Sequence, residues 1–163
     1  MSIAHVDHHG IRGPAAHIDR NLDALRLPWP FGESFENFRL LDPLSRATAI
    51  AVEALGGDFA EDAAIVLATT QGCLWADREF ERSRSGDLRP GLFPYTLPSA
   101  AVAAIAIRHA VHGPTLCLSG SAEQAIEEAE RLMACGEASA ALVCTGDVLP
   151  PDTLAMTARY LTR

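Results

Sequence analysis

Three short apolar runs alternate with helical segments from Asp62 onward, and this alternation restricts the fold more than any other feature. "DAAIVLATT", "TLCLS" and "SAALVCTG" have strand length; the first is a continuous apolar run, as expected for a strand covered on both faces, and "TLCLS" reads as an apolar edge strand open to pairing. Between the first and second lies "TLPSAAVAAIAIRHAVHG", an alanine-rich helix apolar on almost every face and therefore expected to be buried nearly all round. Between the second and third lies the helix "SAEQAIEEAERLMACG". Strands alternating with helices predict an α/β architecture: a mainly parallel sheet with covering helices.

Upstream, "DPLSRATAIAVEALGG" predicts another helix, with Asp42 as cap, Pro43 at the first helical position and Gly56–Gly57 as the stop. Leu44, Ala47, Ile50, Ala51 and Ala54 give it one apolar face. Ile3–Val6 reads as a first strand, "AAHIDRNLDALR" as a short helix and "LPWPFGESFENF" as an irregular surface segment. "WADREFERSRSGDLRP" reads as a solvated helix and loop. There is no internal repeat, and 163 residues suit a single domain over residues 1–163.

The formal net charge is −8 and the pI about 5.1. Nucleic acid and anionic membrane are thereby excluded as expected partners, since both need basic patches. "MSIAHVDHHGIRG" lacks the basic and apolar regions of a signal peptide, and no apolar stretch is long enough to span a membrane, so a cytoplasmic location is expected. Cys73, Cys117, Cys135 and Cys144 show no C-x-x-C spacing and are expected as free thiols.

The turn after "TLCLS" is where this architecture can present a reactive group, and it holds Ser119, Gly120, Ser121 and Ala122. Ser121-Ala122-Glu123-Gln124 fits a capping box, which explains Ser121 without chemistry. The helix N-terminus also offers free N–H groups to an acyl oxygen or anion. Ser119 or Ser121 as a nucleophile would need a base within hydrogen-bond reach; His109 and His112 stand nearest along the chain, at the end of the preceding helix. His5, Asp7, His8 and His9 read as surface residues, because a metal site needs three or four converging ligands. "GGDFAED" is no phosphate loop, and no nucleophile elbow of hydrolase type occurs. No metal and no cofactor is expected.

"FRLLDPLSRATAIAVEAL", "AAIVLATTQGCL" and "LFPYTLPSAAVAAIAIRHAVHGPTLCLSGS", in this order, resemble the N-terminal half of the β-ketoacyl synthases of the thiolase-like fold. The likeness runs from Ile3 to Pro150. Leu118 to Glu123 also resembles the L-S-x-G/S-x-E/D turn of short, N-terminal-only ketosynthase-like proteins associated with fatty-acid-like and aryl-polyene pathways.

The resemblance implies a thiolase-like half-fold and a cysteine nucleophile, which this chain lacks. Counting from Gly113-Pro114 places Ala122 at the family's cysteine, whereas counting back from Gly136 places Ser119 there. Cys117 falls inside the strand, before the turn. The family's two catalytic histidines belong to a C-terminal half that lies beyond this sequence. The resemblance, less those three groups, implies an accessory protein of a fatty-acid, polyketide or aryl-polyene-type pathway, without condensing activity. The alternatives are a divergent acyltransferase or hydrolase acting on acyl thioesters through Ser119 or Ser121, and a non-catalytic dimerisation scaffold. The partners implied are a second copy or a ketosynthase-like protein, through Thr115–Ser119 and the alanine-rich helix. An acyl carrier protein would in addition need an arginine patch, for which Arg78, Arg82, Arg84 and Arg89 are the candidates.

Overall fold

The sheet is organised around one fully buried strand, β3 (Ala64–Thr69). It is flanked by two parallel neighbours, β4 (Thr115–Ser119) and β5 (Ala140–Leu149). In this computed structural model, which describes residues 2–4, 15–21, 31, 35–36, 38–56, 58–149 and 153–162, the sheet continues with β6 (Thr153–Thr162), β2 (Ala15–Asn21) and β1 (Ser2–Ala4). The order is β1-β2-β6-β5-β3-β4. The α/β architecture with covering helices is the expected one, and the sheet is mixed in detail. The three apolar strands named from sequence are mutually parallel, while β5–β6, β6–β2 and β2–β1 pair antiparallel.

Two strands account for that difference. β6 comes after Pro150-Pro151 and is not among the strands expected from sequence, and "AAHIDRNLDALR", expected as a helix, forms β2 over its first seven residues. β2 pairs with β6 along its whole length, from Ala15↔Arg159 to Asn21↔Thr153. A strand offered a complete ladder by its neighbour follows that ladder rather than its own weak helical spacing. The part of "AAHIDRNLDALR" after Asn21, and most of "LPWPFGESFENF", lie outside the described residues.

Helix α1 (Pro43–Glu53) starts as the sequence predicts. The buried Asp42 carboxylate accepts from Leu44 N at 3.1 Å and Ser45 N at 3.2 Å, and Pro43 fills the first position. With α3 (Ser99–His109), α1 covers one face of the sheet, where Leu44, Ile65, Leu67, Ile105, Leu142 and Met156 are almost fully buried. On the other face α4 (Ala122–Ala134) sets Ala125, Ala129 and Leu132 against Val66, Val143 and Leu161. α2 (Leu74–Ser83) exposes Asp77, Arg78, Glu81 and Arg82 and buries Ala76 and Ser83, a solvated helix with one covered side. The crossovers by α3 and α4 make β3, β4 and β5 parallel.

Two glycines are fixed by close approach. A Cβ on Gly113 would strike the carbonyl oxygens of Asp62 and Ala63, where the chain turns into β4 beside the start of β3. A Cβ on Gly146 would strike the Ala155 carbonyl across the β5–β6 pair.

α3 departs from its expected burial. Ala101, Val102 and Ile105 are buried, but Ala103 is exposed and Ile107 is 83% exposed. Within this chain α1 and the sheet cover one side of α3 and nothing described covers the other. Among the described residues no single helix is long and apolar enough to cross a membrane.

Candidate functional site

The carboxyl ends of β3, β4 and β5 and the amino end of α4 converge on one edge of the sheet. Ser119 ends β4 directly beside Thr69, which ends β3. After Ser119 the chain passes Gly120 and enters α4, with Ser121 as its cap. The capping box is complete: Ser121 Oγ accepts from Gln124 N at 3.4 Å, and Ser121 N donates to Gln124 Oε1 at 2.9 Å. The Gln124 side chain thereby lies against Gly120. Ser119 and Ser121 are exposed, and Ala122, the first residue of α4, is half-buried.

The neighbouring turn after β3 is held by a group that sequence reasoning missed. Asp147, near the end of β5, accepts from Thr70 N at 2.9 Å, Thr70 Oγ1 at 2.7 Å, Gln71 N at 2.8 Å and the Thr69 hydroxyl. Thr69 Oγ1 in turn accepts from Gly72 N at 2.9 Å. One carboxylate thus supplies acceptors for a turn whose amides would otherwise lack them, and charge-assisted bonds of this kind are the strong ones. Its sequence signal was an acid shortly after an apolar strand, opposite a Thr-Thr-Gln-Gly turn.

The sequence-nominated bases lie elsewhere. His109 ends α3, and His112 donates its N–H to the Glu61 carbonyl just before β3 begins. Both therefore sit at the amino ends of the parallel strands. All of β4 separates them from the Ser119–Ser121 turn, about 16 Å at some 3.3 Å per residue. Neither can take a proton from Ser119 or Ser121 in this arrangement.

Three of the four cysteines are poorly suited to act as nucleophiles. Burial, with the nearby Asp42, Asp77 and Cys117, pushes the Cys73 thiol up to about 12. Burial alone pushes Cys144 up to about 12 as well. Cys117 lies on β4 at the sheet edge, and partial desolvation raises its thiol too. Thiols held protonated in this way are weak nucleophiles.

The four candidate arginines do not make a basic patch. Arg82 pairs with Glu79, and Arg84 with Glu81 at 2.9 Å. Arg78 and Arg89 are exposed, but Asp77 and Asp87 stand beside them along the chain, so the segment carries as many acids as arginines. Among the described residues no group of three or more His, Cys, Asp or Glu could hold a metal ion. His5, Asp7, His8 and His9 lie outside the described residues.

No family model matches the sequence, and no curated protein matches it. Its fold is nevertheless a known one, the thiolase-like fold of ketosynthase and chain length factor proteins. The ishigamide ketosynthase/chain length factor superposes with a TM-score of 0.72 at 19% identity, over 94% of this chain and 61% of that one. The ketosynthase ApeO in complex with its chain length factor ApeC, from Xenorhabdus doucetiae, matches with a TM-score of 0.68 at 14% identity. That match covers 100% of this chain and 80% of the other. The chain thus spans less than two thirds of the first of these proteins, and at such identities the fold is what is shared.

Proposed function

We propose that this chain is a non-condensing, ketosynthase-like accessory subunit that acts beside a ketosynthase-type partner in a polyketide or aryl-polyene-type pathway. The observation that carries this reading is the corner between β4 and α4. There a strand end leads into a helix N-terminus, where this architecture can present a reactive group, and the positions are held by Ser119, Gly120, Ser121 and Ala122. Ser121 is committed to its cap, and His109 and His112 stand at the far ends of the strands. Thioester attack needs an activated nucleophile, and neither serine has a base beside it among these residues. Both matched proteins are described as ketosynthases with chain length factors, which supports a ketosynthase-like partner for this chain.

The partner surface in this reading is the free edge of β4 with the adjoining face of α3. Ile65 N bonds to the Pro114 carbonyl, so by strand alternation Leu116 and Leu118 direct their amides to β3. Thr115, Cys117 and Ser119 then direct theirs outward, away from the sheet, as an edge that pairs with no other strand among the described residues. On α3, the helix that packs against β4, Ala103 and Ile107 are exposed. An edge strand next to an apolar helix face fits another sheet laid edge to edge, whether from a second copy or from a ketosynthase-like protein. The paired arginines of the α2 segment give no support to docking of an acidic acyl carrier protein on that face.

The test is direct. Purified protein incubated with acyl- and malonyl-carrier-protein thioesters is expected to give no 3-ketoacyl product, alone or as a homodimer. Product formation by this chain alone overturns the reading. A covalent acyl adduct on Ser119 or Ser121 would favour the serine acyltransferase alternative instead.

A further inference from the structure

The carboxyl ends of α1 and α3 meet around a small polar cavity whose walls include Glu53, Asp58, Phe59, Arg108 and His109. Glu53 and His109 are each about four-fifths buried there. Arg108 Nη2 donates to Glu53 Oε1 at 3.1 Å. The other carboxylate oxygen, Oε2, is buried and accepts no hydrogen bond from the described residues, although His109 Nε2 lies 3.4 Å away. The His109 ring stands edge-on to Phe59, at a centroid distance of 5.0 Å, and Phe59 stands edge-on to Tyr160 at 5.1 Å. The Tyr160 hydroxyl accepts from Ala60 N at 2.9 Å, which ties the same loop to β6. Two helix ends, a loop and a strand are therefore joined around one imidazole.

We propose that His109, packed between Glu53, Arg108 and Phe59, is a proton-sensitive joint that seats the carboxyl end of α3 on α1 and loosens when this buried ring has to carry a proton. Among the described residues, the groups facing His109 are Glu53 from α1, Arg108 from α3, and Asp58 with Phe59 from the loop, with Tyr160 of β6 behind Phe59. A proton on His109 would place a second cation beside Arg108 in a desolvated slot packed against an aromatic ring. Glu53 attracts that proton, but burial and Arg108 oppose it, and burial is the largest influence, so the imidazole is held below its ordinary range.

The burial of His109 fixes the direction of the pH effect. In the unfolded chain His109 takes up its proton near pH 6.5, whereas in the folded chain it does so only at lower pH. The stability contributed by this group is complete above that range. It falls as the pH drops through the window between the two values. The inference concerns the inner side of α3 and does not depend on what covers its outer face.

Hydrogen exchange on the full chain tests it. The opening constants of the α3 amides, corrected for intrinsic exchange, are measured from pH 7.5 to 5.5 in the wild type and in His109→Gln. In the wild type they are expected to rise on acidification by up to about tenfold per pH unit, the limit for one linked proton. His109→Gln is expected to show a distinctly shallower rise, and equal slopes in the two proteins would overturn the proposal. Should His109→Gln fail to fold, titration of the His109 ring by NMR in the wild type decides. A midpoint below that of free histidine supports the joint, and a midpoint at or above it refutes it.

Discussion

Ile107→Glu is the most informative single change in this molecule. The Ile107 side chain is 83% exposed in the isolated chain, so almost all its transfer free energy is still available to an assembly. Full burial of an isoleucine is worth about 1.5–3 kcal/mol. A two-fold dimer through the β4 edge and α3 buries two copies, about 3–6 kcal/mol in total, or roughly two to four orders of magnitude in Kd. A glutamate there forfeits that gain and adds the cost of desolvating a carboxylate. The fold itself should be indifferent, since exposed substitutions usually change stability by no more than about 0.5 kcal/mol. Light scattering after size exclusion at micromolar concentration is therefore expected to show a wild-type dimer and a monomeric Ile107→Glu with unchanged thermal unfolding. The edge supplies a second readout. A two-fold axis at Cys117 brings the two Cys117 residues opposite each other with Cα atoms about 5.5 Å apart, within the range that a disulfide or short thiol cross-linker spans. A well-behaved wild-type monomer that binds no ketosynthase-like protein, or an Ile107→Glu that still assembles, would refute the assignment of this surface.

Three further outcomes are expected. Ser121→Ala removes one half of the capping box and should cost about 0.5–2 kcal/mol in urea denaturation; a fully stable variant that lost a measurable thioester reactivity would contradict the capping role. Gly113→Ala drives a methyl group into the Asp62 and Ala63 carbonyls and should cost about 1–3 kcal/mol, whereas Gly86→Ala, with open space around it, should be nearly neutral; equal melting temperatures for the two variants would contradict this packing. Asp147→Ala leaves the Thr70 and Gln71 amides without their acceptor and should cost about 1–3 kcal/mol, with faster limited proteolysis at residues 69–73; an unchanged cleavage rate would show that the carboxylate does not hold the turn.

The parts of the fold legible in the sequence were those whose cause is local. β3, β4 and β5 declare themselves as apolar runs, and α1 and α4 by cap residues that make the bonds their sequence promises: Asp42 to Leu44 and Ser45, Ser121 to Gln124. β2 and β6 were not legible, because each is a strand through the other. His17 is opposite Thr157 and Ile18 opposite Met156, a separation of about 140 residues that no local pattern encodes. β6 does carry a usable sign, with Met156 and Ala158 buried on one face and Leu161 on the other, but short alternation after a Pro-Pro pair is weak evidence of a strand.

The candidate site divides along the same line. The Ser121 cap could be read because donor and acceptor are three residues apart. Asp147 could not, because its partners lie 76 to 78 residues upstream. The histidines show a third situation, in which nearness along the chain misleads. In a parallel strand–helix–strand unit the helix runs back against the strands, so its carboxyl end must deliver the chain to the amino end of the next strand. A histidine closing α3 is therefore placed at the opposite edge of the sheet from the turn that ends β4, however few residues intervene. That rule rests on the alternation of strands and helices alone. It removes His109 and His112 as bases for Ser119 or Ser121 and leaves His109 to the work its burial indicates, holding two helix ends together.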